Sequence, residues 1–517
     1  LKNYLLRQGD REMAYLLGID LGTSSVKALL VDREGHTLGI GSAEYPVLMP
    51  QPDYAEQDPE TWWQSTATAV RQALAAARSH EVAAIGLSGH MHGTVLLGED
   101  GRLLVPAIIW LDRRSQSQVR EITEQIGSER LIQITGSPIA TGFQAATIRW
   151  MQQELPDVWR QVRRILLPKD YLRWRMVGEP FYTDPSDAAG TLLLDAHTRN
   201  WSPVILETLG LDITLLPEVR PSTTINGVLT RQAAEHLGLQ PGIPVIVGAA
   251  DTANSALASG VVSPDTLLLT ISTGSQLVLP SEDVRVDLRG RMHTFCSALE
   301  PKPGQAGWYQ MAATLNAGMA LRWLRDQVFA LSTPDAYIQM SGWAESVPPG
   351  ARGLLFLPYL SGERSPHMDP TARGMFLGLS IRHGRAEMVR AVMEGVAFSC
   401  YDAYRVLMEL GAHPNRMIVA GGGARSPLWQ RIFADVFNLP VHRLVIAEQS
   451  ALGAAILAGA AIGWHQPHEA AFRWAAYDAP IEPNARHHAD YRALLEIFRS
   501  AYLKHRADFE MLTRYTC

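Results

Sequence analysis

Apolar residues come in short blocks at the start of the chain, each block ended by a polar tip. Tyr15 to Ile19 reads as an apolar strand running into Asp20. A tight Gly22-Thr23-Ser24-Ser25 turn follows, and a second apolar strand, Val26 to Val31, leaves it. A third strand is expected near Leu38–Tyr45. Asp58-Pro59-Glu60 then reads as a helix start: an Asp cap, Pro at the first helical position and an acid in the first turn. Trp62, Thr66, Ala69 or Val70, and Ala73 recur at helical spacing behind it. Val82 to Leu87 is a buried strand that ends in Ser88-Gly89-His90-Met91-His92-Gly93, where the chain must turn. Gly98 to Gly101 marks another hairpin tip.

The second half repeats the opening. Val245 to Gly248 is a strand that feeds Ala249-Ala250-Asp251 and a helix of small residues. Leu267 to Ile271, the tip Ser272-Thr273-Gly274-Ser275 and Gln276 to Leu279 form a new hairpin, with Thr273 standing 250 residues (273 − 23) after Thr23. Two strand–polar tip–strand units, one per half, suggest an internal duplication; a chance likeness of two hairpins is the other reading. Glu387 to Leu410 is a long amphipathic helix. Met417 to Ala420 is a strand that runs into Gly421-Gly422-Gly423-Ala424-Arg425-Ser426-Pro427, where Ser426 caps and Pro427 starts the next helix. Ala451 to Gly463 is a run of small apolar residues that reads as a buried helix and is too short to span a bilayer.

With 517 residues, two large domains are expected rather than one core. The expected division is an N-terminal extension over 1–14, a first domain over 15–250 and a second over 251–517, with the boundary region around 248–262. A hydrophobic fraction of 47% and a charged fraction of 19% suit a soluble enzyme. The formal net charge of −6 gives no basic field for nucleic acid or an anionic membrane. Residues 1–14 lack the apolar core of a signal peptide. Cys296, Cys400 and Cys517 are too few for a disulfide framework and lack zinc spacing, so a cytoplasmic location is expected.

The opening hairpin carries the chemistry. Gly22 lets backbone N–H groups approach an anionic oxygen, Thr23, Ser24 and Ser25 add hydroxyl donors, and Lys27 adds positive charge. Asp20 at the strand end can hold Mg²⁺, directly or through water. The hairpin therefore reads as a grip for nucleotide phosphates. Three glycines after Ala420, with Gly422 and Gly423 foremost, let a flat or anionic ligand lie against bare backbone.

At this point the chain resembles the FGGY carbohydrate kinases, and within them the xylulose kinases most closely, from Tyr15 to about Gly463. The stretches that carry the resemblance are Gly18 to Lys27, Ser88 to Gly93, Leu167 to Leu172, Thr183 to Gly190, His293 to Cys296, Leu357 to His367 and Gly421 to Pro427. What it implies is an α/β fold of two actin-like, ribonuclease-H-like domains, with ATP and a sugar in the cleft between them. It implies Asp251 as general base, and Met91 and His92 as contacts of a ketose. It places Thr23, Ser24, Lys27 and Thr273 at the phosphate site, and Gly318, Gly422 and Ser426 near the nucleotide. Trp110 is either an apolar lid over the sugar or plain packing. Mg²⁺ is expected on Asp20, with Asp251 nearby.

Three places depart from the family pattern, one of them the second hairpin tip, where Ser272-Thr273-Gly274 stands in place of the usual Gly-Thr-Ser. Thr147 stands where a Lys is usual, with Arg149 two residues on as the alternative cation, and His90 stands where xylulose kinases mostly carry Gln. The expected reaction is phosphoryl transfer from ATP to a primary hydroxyl, with D-xylulose the first candidate. Ribulose, gluconate or glycerol are the alternative acceptors, and a non-catalytic nucleotide-binding protein of the actin and chaperone type is the rival of another class. A homodimer is common among related kinases, and no interface can be placed from the residues.

Overall fold

The strand–tip–strand pattern at the start of the chain folds as its alternation requires. β1 (Tyr15–Leu21) and β2 (Ser25–Val31) are antiparallel, with Asp20 opposite Lys27. A computed structural model describes residues 14–79, 81–446 and 448–515. The expected extension lies, apart from Ala14, outside the described residues, as does Cys517. β3 (Thr37–Glu44) continues the antiparallel run, and β4 (Val82–Gly89) lies parallel to β1 on its other side, bringing Ser88 opposite Asp20. β5 (Ile225–Val228), β6 (Pro244–Ile246) and β7 (Ala249–Ala250) complete a sheet of order β5-β6-β4-β1-β2-β3, with β7 paired to the end of β4.

The second sheet is built from β8 (Thr266–Ile271), β9 (Ser275–Ser281), β10 (His293–Cys296), β11 (Trp308–Thr314), β12 (Arg416–Ala420) and β13 (Val441–Arg443), in the order β10-β11-β9-β8-β12-β13. Its pairing repeats that of the first sheet. β8/β9 and β9/β11 are antiparallel like β1/β2 and β2/β3, while β8/β12 and β12/β13 are parallel like β1/β4 and β4/β6. Topology therefore supports the duplication that a short echo of two tips only suggested.

Helices cover the sheets. α1 (Pro59–Ala77) starts on Asp58, whose side chain accepts from the Glu60 N–H. α2 (Pro168–Val177) and the single turn α3 (Pro185–Ala189) follow β4 in the chain, and α4 (Asp251–Ala258) follows β7 directly. α5 (Arg385–Glu409) is the long amphipathic helix of the second half, and α6 (Pro427–Phe437) is capped by Ser426, which accepts from the Trp429 N–H. α7 (Gln449–Ala461) follows β13 yet lies on the first sheet: a Cβ at Gly18 would fall 1.8 Å from the Ala451 carbonyl oxygen, and one at Gly86 1.9 Å from that of Ala454. Such contact explains why residues 451–459 are buried without a polar face. No helix among the described residues is long and apolar enough to cross a membrane.

Candidate active site

The ends of three neighbouring strands set the central group. Asp20 on β1, Ser88 on β4 and Ala249 on β7 are cross-strand neighbours, and Asp251 comes two residues after Ala249, at the first position of α4. The Ser88 hydroxyl donates to Asp20 Oδ1 at 2.8 Å. Asp251 Oδ1 accepts from the Thr252 N–H at 2.6 Å, so the carboxylate is oriented by its own helix start. Burial is the main cause that lifts both acids: Asp20 to about 6, with Ser88 and Lys27 opposing, and Asp251 to about 7, with the charge of Asp20 adding to the effect. Two carboxyls that repel one another in a poorly solvated place suit a hard divalent cation. Mg²⁺ takes one or two carboxylates and completes its shell with water and phosphate oxygens, and no cluster of three or more metal-ligating side chains occurs among the described residues. Asp20 and Asp251 fit that requirement.

Met91 and His92 lie just beyond, where β4 ends. His92 has a positive φ of 75°, which turns its ring toward Gly190: Nδ1 is 2.6 Å from the Gly190 carbonyl oxygen. A carbonyl can only accept, so Nδ1 carries the hydrogen and Nε2 of the neutral ring is an acceptor. Burial keeps the ring neutral by pushing its pKa down to about 4. Aromatic groups surround it. Phe143 is 4.1 Å and Phe295 6.2 Å away between ring centroids, and His293 stacks between Phe143 and Phe295. Tyr309 donates its hydroxyl to the Met91 sulfur at 3.9 Å. His293 and Phe295 sit on β10 and Tyr309 on β11, so the second sheet supplies half of the surroundings of His92. The sequence motif around His293 was visible, but the likeness alone assigned it no role.

The residues expected to grip phosphates divide into two groups. On the first hairpin, the Trp110 indole N–H donates to Thr23 Oγ1 at 2.9 Å, which ties Trp110 to the tip. Gly22 and Ser24 lie on the same tip, and the Gly22 N–H donates to the Ser25 carbonyl oxygen. Lys27 Nζ makes an ion pair of 2.7 Å with Glu448, the residue before α7. On the second hairpin, the Thr273 carbonyl accepts the N–H groups of Ala317 and Met319, and the Ser272 carbonyl accepts that of Gly318. A Cβ on Gly421 would lie 2.5 Å from the Ile271 carbonyl oxygen. The tip at Thr273, Gly318 and the glycine run up to Gly422 and Gly423 are thus neighbours, with Ser426 closing the run as a helix cap. Thr147 is buried in the helix Gln144–Glu154, and Arg149 is paired with Glu121 at 2.5 Å, so its charge is already committed to Glu121.

Residues 15–258 match the N-terminal domain, and residues 269–462 the C-terminal domain, of the FGGY family of carbohydrate kinases. The chain is similar to the xylulose kinase of Lactococcus lactis, 36% identical over 497 residues that cover 95% of this chain and 97% of that protein. It is also similar to the gluconokinase of Bacillus subtilis, 30% identical over 94% of this chain and 95% of that protein. The crystal structure of a ligand-bound xylulose kinase from Lactobacillus acidophilus superposes with a TM-score of 0.90, at 26% identity and over 97% of this chain and all (100%) of that one.

Proposed function

We propose a ketopentose as the acceptor of this enzyme, which belongs to the FGGY family of carbohydrate kinases and so transfers a phosphoryl group from ATP to a sugar. D-Xylulose, phosphorylated at its terminal C5 hydroxyl, is the acceptor that the full-length likeness to xylulose kinases favours. The observation that carries the reading is the adjacency of two unlike features: a pair of carboxyls, Asp20 and Asp251, and a neutral imidazole, His92, set among aromatic rings and next to Met91.

In this reading the sugar lies against Met91 and His92, with a hydroxyl donating to His92 Nε2, and its terminal alcohol points at Asp251. Asp251 takes the proton as the alcohol oxygen bonds to the γ-phosphorus and the bond from that phosphorus to the β–γ bridging oxygen breaks, with ADP as the leaving group. An ordinary Asp, with a pKa of about 3.9, is a weak base for an alcohol. Burial and Asp20 move Asp251 to about 7, nearer the range in which a general base works at neutral pH. The transition state is loose, so orienting the attacking oxygen counts for as much as removing its proton. Gly22, Thr23, Ser24 and Lys27 on one hairpin, and Thr273, Gly318, Gly422, Gly423 and Ser426 around the other, hold the triphosphate and the nucleotide. Mg²⁺, held at Asp20 with Asp251 nearby, supplies charge to the β- and γ-phosphates when bound.

One observation favours a second reading. Arg364 lies near His92 and His293, and Arg113 near Arg364; neither guanidinium has an ion-pair partner among the described residues. Such a pair suits a carboxylate, as a sugar acid like gluconate would bring. Coupled ADP assays with D-xylulose, D-ribulose, glycerol and gluconate separate the readings: xylulose is expected to give the highest kcat/KM, and a higher value for gluconate overturns the assignment. Asp251→Ala should lower kcat by on the order of 10³-fold or more with xylulose while ATP still binds. Turnover close to wild type removes Asp251 from the role of base.

A further inference from the structure

Behind Asp251 lies a group of charges that takes no part in the reaction as described. Lys169, Asp184, Ser186 and Asp187 are completely buried, and Asp170 and Arg173 nearly so. Lys169 Nζ is 2.7 Å from Asp170 Oδ1, 3.2 Å from Asp184 Oδ1 and 3.7 Å from Asp187 Oδ2. Arg173 Nη1 donates to Asp170 Oδ1 at 2.8 Å. Burying so many charges is expensive, and hydrophobic side chains of like volume commonly serve stability as well or better. Stability alone is therefore a poor reason for this arrangement.

What the group holds is one stretch of backbone, residues 247–250, the last before Asp251. Lys169 Nζ and Arg173 Nη1 both donate to the Val247 carbonyl oxygen, at 3.3 and 2.9 Å. The Gly248 N–H donates to the Ser222 carbonyl, and the Ser222 hydroxyl donates to Asp184 Oδ2 at 3.1 Å. Asn254 Nδ2 donates to the Ala249 carbonyl at 2.9 Å. The Ala250 N–H donates to Ser186 Oγ at 3.0 Å, and that hydroxyl in turn donates to Asp184 Oδ2, whose other oxygen faces Lys169. An unbroken line of contacts thus runs from the buried lysine through Asp184 and Ser186 to the amide beside Asp251.

We infer that Lys169, Asp184 and Ser186 are positioning residues: a buried clamp that fixes the Val247–Ala250 segment and so aims the Asp251 carboxylate at the acceptor hydroxyl. The charge is there to orient. Asp184 Oδ2 accepts from the Ser186 hydroxyl, the Ser186 N–H and the Ser222 hydroxyl, and this sets the rotor of Ser186 so that its lone pair meets the Ala250 N–H. A displacement of about 1 Å at a reacting group can cost on the order of 100-fold in rate without weakening binding.

The inference rests on Asp251 being the base, so its test has a readout that does not. In Ser186→Ala, native-state hydrogen exchange at the Ala250 and Asp251 amides should quicken at least tenfold, while exchange in β4 and β6 and the melting temperature stay near wild type. In the same variant kcat should fall ten- to a hundredfold, with the KM values for sugar and for ATP within about threefold. Unchanged exchange at Ala250 overturns the clamp, and so does exchange that quickens throughout the first sheet together with a lowered melting temperature. Quickened exchange with normal kcat also overturns the proposed role, because the segment would then be free without consequence. Asp251→Asn examines the base alone: if it retains turnover while Ser186→Ala shows local exchange, the base assignment has failed and the clamp has not. Lys169→Met should reproduce the local exchange where it folds, and the Ser186→Ala result decides the matter where it does not.

Discussion

His90 shows how a single residue couples this fold to pH. Its ring is buried against the edge of Trp62, and neither ring nitrogen has a hydrogen-bond partner. Burial, with His92 adding to it, pushes its pKa down to about 3. The unfolded chain binds a proton there at about 6.5 and the folded chain does not. Stability from this group is therefore complete above about 6.5 and is lost as pH falls toward 3, by roughly 2 kcal/mol at pH 5. His90→Gln removes the titration. Its melting temperature relative to the parent should rise between pH 7.5 and pH 5; a constant difference would mean that His90 is protonated in the folded protein. His92, two residues on, calls for a different measurement. His92→Ala removes the acceptor for a sugar hydroxyl, a loss of about 1–3 kcal/mol, so the sugar KM should rise about tenfold to a hundredfold with the ATP KM unchanged. Equal effects on both substrates would take His92 out of the sugar pocket. Asp20 and His92 were readable as candidates because short motifs surround them, whereas Asp251 was a candidate only through the family resemblance. Lys169 and Asp184 were not readable as a unit: their contacts join Lys169 to Val247 and Asp184 to Ser222, and no local spacing encodes partners so far apart.

At the scale of elements, what the chain announces locally is what local physics decides. The two hairpins, the Asp58 cap and the Ser426 cap followed from strand alternation, tip residues and capping chemistry, and all stand where the residues placed them. The position of α7 did not follow. Its small apolar residues announced a buried helix, yet nothing in them says that it returns to the first sheet rather than the second. The reason lies in residues far away: Gly18 and Gly86 leave room on β1 and β4 for the helix backbone to touch the strands. Gly18→Ala would put a methyl group where the Ala451 carbonyl oxygen now lies. Overpacking of this kind costs about 1–3 kcal/mol, and the first unfolding transition in urea should move to lower concentration by a corresponding amount. An unmoved midpoint would show that α7 can lift from the sheet without loss. The same contact has a consequence for the site, because Glu448 enters α7 opposite Lys27 and the helix therefore also sets the partner of the hairpin lysine.

For the whole molecule, the decisive point is which sheets face the sugar. The family likeness alone places the sugar against the first domain, and His92 and Asp251 do belong to the first sheet and its outgoing helix. The rings around His92 come from both halves of the chain: Phe143 from the residue that precedes the helix Gln144–Glu154, His293 and Phe295 from β10. In the proposed reading the sugar pocket is lined from both halves of the chain, so an acceptor that fills it would draw the two halves together. That would matter for a kinase, because water is an alternative acceptor and an open cleft would hydrolyse ATP; closure on the sugar would complete the site only with the right alcohol present. His293 is the residue with which to examine this. It belongs to the second sheet, its Nδ1 is buried without a partner, and burial, with His92 and Arg364 adding to it, pushes its pKa down to about 3, so it faces the pocket as a neutral ring. In His293→Ala the sugar KM should rise about tenfold and the rise in melting temperature on adding xylulose should shrink at equal sugar concentration, with the ATP KM unmoved. If the sugar KM stays at its wild-type value, the pocket is confined to the first sheet, and closure must be driven by the nucleotide instead.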